Sequence, residues 1–95
     1  MRLNKNQSQA IKEAFSLYLQ NFELRLFGSR IHDDKNGGDI DLLVLTNNRL
    51  TLNEKWKIRR EIEKNLGFQK IDIVNFTFNQ EDEFKNYILG ESIIL

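Results

Sequence analysis

Three aspartates stand where carboxylate chemistry is possible. Asp39 and Asp41 flank Ile40 at the start of the run Asp-Ile-Asp-Leu-Leu-Val-Leu, and Asp72 sits between Ile71 and Ile73. Side chains alternate across a strand, so Asp39 and Asp41 would share one face. Asp72 joins them if its strand is the neighbour. Read alone, an Asp-x-Asp at a loop end is an ordinary turn or cap feature. A charged residue inside an Ile-Asp-Ile-Val run is harder to explain by packing. Two unit charges about 4 Å apart repel by about 1 kcal/mol in water and about 4 kcal/mol at an effective dielectric near 20. A divalent cation would relieve that repulsion. Oxygen ligands without cysteine suit Mg²⁺ or Mn²⁺ rather than zinc.

A second group precedes the aspartates. Leu26-Phe27-Gly28-Ser29-Arg30 puts a glycine and a hydroxyl directly after an apolar alternating segment. Glycine allows a ligand close to the backbone, and free amides at a helix start attract phosphate. Arg30 adds a possible charge-assisted contact. By itself this is the composition of a simple turn, and Arg30 alone reads as a surface residue.

The elements that would position these groups can be read from periodicity. Ile11, Phe15, Tyr18 and Phe22 form an apolar stripe, which predicts a helix near 7–21 capped by Asn6 or Ser8. Leu24 and Leu26 alternate with Glu23 and Arg25, giving a strand over 22–27. Residues 32–38 are polar and end in Gly37-Gly38, which reads as a loop. Residues 39–45 form a second strand, apolar on both faces as in a covered central strand. Thr51 and Glu54 have capping-box spacing for a helix over 52–66, closed by Gly67. A third strand spans 69–76, and Asn79 caps a last helix through Leu89, ended by Gly90. Ile93-Ile94-Leu95 adds an edge strand. The expected fold is α/β (α+β): a small mixed sheet covered by helices, in one domain over 1–95.

Together, Gly28-Ser29, the Asp39-x-Asp41 pair and the strand-borne Asp72 resemble the nucleotidyltransferase fold typified by DNA polymerase β. The stretch from Leu26 to Val44 is similar to the Phe-Gly-Ser-Arg … Gly-Gly-Asp-Ile-Asp-Leu form of minimal nucleotidyltransferases. The resemblance implies that Gly28 and Ser29, with Arg30, hold a nucleoside triphosphate such as ATP. It implies that Asp39, Asp41 and Asp72 hold two Mg²⁺ or Mn²⁺ ions and that Asp72 helps activate the attacking hydroxyl. Many relatives carry Ser before the first aspartate and Ala-x-Gly after Gly-Ser-Arg. Here Gly38 and Ile31-His32-Asp33 stand in those places.

The resemblance also implies a partner. Minimal domains of this kind are commonly paired with a small helical HEPN-domain toxin, and act as antitoxins by placing AMP on a toxin tyrosine. Transfer to a small molecule such as an aminoglycoside is the alternative acceptor reading. A non-catalytic module that neutralises its partner by contact is the third.

Composition narrows the rest. The chain has 95 residues, 14 basic against 14 acidic, no cysteine and one histidine. Balanced charge makes nucleic acid an unexpected partner. Disulfides and thiolate zinc sites are excluded. No apolar run reaches the roughly 20 residues of a membrane span. Met1-Arg2-Leu3-Asn4-Lys5 lacks the apolar segment of a signal peptide, so a cytoplasmic protein is expected. His32 reads as a loop histidine. Lys55, Lys57, Arg59, Arg60 and Lys64, interleaved with glutamates, read as the wet face of a helix. Trp56 is expected to pack inward, and Tyr18, Phe22 and Phe84 read as core, with a face toward a partner protein as the alternative for some of them.

Overall fold

The computed structural model describes residues 3–28, 40–67 and 70–95. Within them the chain runs α1 (Lys5–Ser16), β1 (Phe22–Phe27), β2 (Ile40–Thr46), α2 (Leu52–Leu66), β3 (Ile71–Thr77), α3 (Glu83–Gly90) and β4 (Ile93–Ile94). The strands form one mixed sheet in the order β3-β2-β1-β4. β1 is antiparallel to β2 and to β4, whereas β2 and β3 are parallel. The expected α+β fold is the one observed.

Alternation along β2 divides the core. Leu42 and Val44 pack with Ile11 and Phe15 of α1 and Ile58 and Ile62 of α2. Leu43 and Leu45 face the other way, against Phe76 and Ile88. Two helices therefore cover one side of the sheet and the short α3 covers part of the other. This accounts for the unbroken apolar run of β2, which is buried on both faces.

Local chemistry sets the element ends. Asn4 accepts from the Gln7 amide at 2.8 Å while Gln7 Oε1 accepts from the Asn4 amide at 2.9 Å, a reciprocal capping box. α1 thus begins earlier than expected from Asn6 or Ser8, and it ends at Ser16 rather than near residue 21. Residues 17–21 turn toward β1, so Tyr18 leaves the buried stripe and is 41% exposed. The Thr51–Glu54 capping box forms as expected, and Gly67 closes α2 at φ 81°. The last helix is capped not by Asn79 but by Asp82, which accepts from the amides of Phe84 and Lys85. Gly90 lies inside that helix, with Glu91 after it.

Buried polar groups tie the layers together. Asn75 Oδ1 accepts from the Leu50 amide at 2.7 Å, and its Nδ2 donates to Val44 O and Thr46 Oγ1. This fixes the β2–α2 connection against β3. Lys85 is buried and its Nζ donates to the carbonyls of Phe78 and Gln80 at 2.9 and 2.8 Å, bracing the β3–α3 turn. Among the described residues, no helix is long and apolar enough to cross a membrane.

Candidate active site

The candidate residues gather where β2 and β3 begin and β1 ends. β1 delivers the chain to Gly28, and Phe27 stands opposite Asp41 in the β1–β2 ladder. Asp41 is directly opposite Asp72 in the parallel β2–β3 ladder. Neighbouring strands lie about 4.8 Å apart, so the two aspartates project side by side from adjacent strands. Both alternate with the residues packed toward α1 and α2, which puts them on the α3 side of the sheet. α3 covers Leu43, Leu45, Val74 and Phe76, farther along the same strands. Asp72 is exposed and Asp41 half-buried.

Gly28 is fitted to this arrangement by two constraints. Its φ of 78° lies in the left-handed region that side chains rarely adopt. A Cβ there would overlap Asp41 Oδ2 and stand 3.0 Å from Asp41 Cγ. The Asp41 carboxylate therefore lies against bare backbone, in a space that only glycine leaves open.

Asp39, Ser29, Arg30 and His32 lie outside the described residues, so the expected third carboxylate and the expected phosphate loop are not placed. Among the described residues, no group of three or more His, Asp or Glu side chains comes together. The pair Asp41–Asp72 offers hard oxygen donors on one face, and that donor chemistry fits Mg²⁺ or Mn²⁺. Asp39, two residues before Asp41, would supply the further ligand.

One polar group on this face drew no functional reading from the sequence. Arg25 alternates with the same parity as Asp41's partner Phe27. Its Nε donates to Glu23 Oε2 at 2.6 Å and its Nη1 to Ser92 Oγ at 3.2 Å. The contact spans 67 residues of sequence, which is why periodicity could not reveal it. It anchors the segment before β4 to β1.

Two clefts among the described residues lie away from the aspartates. The larger, about 490 Å³, is lined by Tyr18 and by Trp56, Arg60 and their neighbours on α2, on the far side of the sheet. Trp56, expected to pack inward, is 54% exposed. Phe84, expected in the core, is 53% exposed and meets Phe76 edge to face. Phe22 does reach the core, packing on Phe15 at 5.9 Å.

A small four-stranded mixed sheet with three helices is consistent with the polymerase β-like nucleotidyltransferase class of fold. The family model described as polymerase beta, nucleotidyltransferase, matches residues 9–95. The chain belongs to that family, whose members generally use divalent metals. No curated protein matches the chain.

Proposed function

We propose that the protein transfers AMP from ATP to a hydroxyl, with a tyrosine of a small helical HEPN-type partner as acceptor. The observation that carries this reading is the in-register pairing of Asp41 with Asp72, with Gly28 packed against the first. Asp39, Asp41 and Asp72 would hold two Mg²⁺ or Mn²⁺ ions. Bound there, the ions would offset the charge of the triphosphate and lower the pKa of the acceptor hydroxyl.

The protein's own share is positioning and electrostatics. Gly28 lets the Asp41 carboxylate lie against its backbone, and Ser29 and Arg30, which follow it, would donate to the phosphates. Asp72, more exposed than Asp41, would help draw the proton from the acceptor oxygen. That oxygen attacks the α-phosphorus in line, the bond to the β-phosphate breaks, and pyrophosphate leaves. Most of the 95 residues are committed to the sheet and its helices, so an acceptor that brings its own surface suits the domain.

The test is mass spectrometry of the partner after incubation with ATP and Mg²⁺. One or more added adenylyl groups are expected, and none with Asp39→Asn. Equal neutralisation of the partner by Asp39→Asn, with no added mass, would favour inhibition by contact alone.

A further inference from the structure

The chain is neutral overall, yet its two outer faces are not. On α2, Trp56, Arg60 and Lys64 fall at helical spacing on one exposed stripe. Arg60 lies over the Trp56 ring at 5.2 Å from its centroid. With Tyr18 and Lys57 they line the cleft of about 490 Å³. Tyrosine, tryptophan and arginine in one concavity is the composition of a protein-binding hot spot. Glu61 and Glu63 also line the cleft, but its three cations, Lys57, Arg60 and Lys64, outnumber them.

The opposite face has the complementary pattern. Tyr87, 66% exposed, is flanked one turn away on either side by Glu83 and Glu91, and Phe84 lies beside it. The one cation of the 81–91 segment, Lys85, is buried beneath the turn with its Nζ held by two carbonyls. An aromatic residue between carboxylates thus faces outward on α3. An aromatic residue followed by cations faces outward on α2.

We propose that the protein associates with itself head to tail, the α3 face of one copy docking Tyr87 into the Tyr18–Trp56 cleft of the next. Glu83 and Glu91 then meet Arg60, Lys57 and Lys64. The two faces lie on opposite sides of the sheet, so this contact cannot close on itself as a two-fold pair. It builds rings or chains of copies instead.

Sedimentation velocity over a range of concentrations at low and high salt tests this. The average mass should rise beyond that of a dimer with concentration and fall back toward 11.3 kDa in high salt. Fluorescence of Trp56, the single tryptophan, should change in step. Arg60→Glu and Glu83→Arg should each weaken association by about tenfold or more. Mixed together, these two variants should associate again, because each supplies the face the other has inverted. A wild-type protein that stays monomeric, or stops at a dimer unaffected by either variant, overturns the proposal. So does quenching of Trp56 by a single-stranded oligonucleotide while the protein remains monomeric. Circular dichroism of each variant separates lost contact from lost fold, and the wild-type salt series stands without any variant.

Discussion

Position 28 cannot carry a side chain without moving Asp41. Its left-handed backbone and its overlap with Asp41 Oδ2 both act against a Cβ. Gly28→Ala should therefore lower stability by roughly 1 kcal/mol or more, read by denaturant unfolding. It should also displace the carboxylate and reduce metal-dependent nucleotide binding. Asp41 itself should behave differently. It stands opposite Asp72 on the next strand, and like charges side by side repel. Asp41→Asn keeps the shape and removes the charge, so the metal-free melting temperature should hold or rise slightly while transfer is lost. Unfolding of Asp41→Asn would assign the carboxylate a structural role instead. These residues were legible in the sequence because their signals are local: a strand period of two at Asp72, and a glycine at the end of a strand. The overlap of Gly28 with Asp41 was not legible, since it depends on the β1–β2 register.

The elements were legible wherever a cap and a period agreed. α2 has both, with the Thr51–Glu54 box at one end and Gly67 at the other, and its expected span is the observed one. Thr51→Ala should cost about 1 kcal/mol by thermal or chemical unfolding. α1 and α3 differ from expectation at their ends because several polar residues compete for each cap. Asn4 wins at α1 through its reciprocal bond with Gln7. Asp82 wins at α3 through two amides. The exposure of Trp56 and Phe84 was also missed. Aromatic residues at helical spacing read as core, but α2 already buries Ile58 and Ile62 against the sheet, and α3 is too short to bury both sides. Asn75 shows what periodicity leaves out. It occupies an inward strand position and bonds three groups, two on β2 and one in the β2–α2 connection. Asn75→Ala should destabilise the fold by about 1 to 3 kcal/mol, because the Leu50 amide and Val44 carbonyl lose their partner. Denaturant titration would show this as a lower midpoint with an unchanged slope.

At the scale of the whole molecule, the sheet divides two kinds of surface. α1 and α2 close one face with most of the apolar core. The other face carries α3 over one end and Asp41 with Asp72 at the other. That asymmetry leaves the carboxylates accessible while the strands that hold them are anchored on both sides at Leu42 to Leu45. A family model spanning residues 9–95 fits this organisation, since sheet, helices and carboxylates form one unit. Carboxylates in this arrangement would bind a nucleoside triphosphate through a divalent ion. Calorimetric titration of ATP into the protein, with Mg²⁺ and without, tests it most directly. ATP should bind more tightly with Mg²⁺, and the gain should vanish in Asp39→Asn, Asp41→Asn and Asp72→Asn. Equal affinity in the two conditions, or a Mg²⁺-dependent gain that survives all three substitutions, would contradict it.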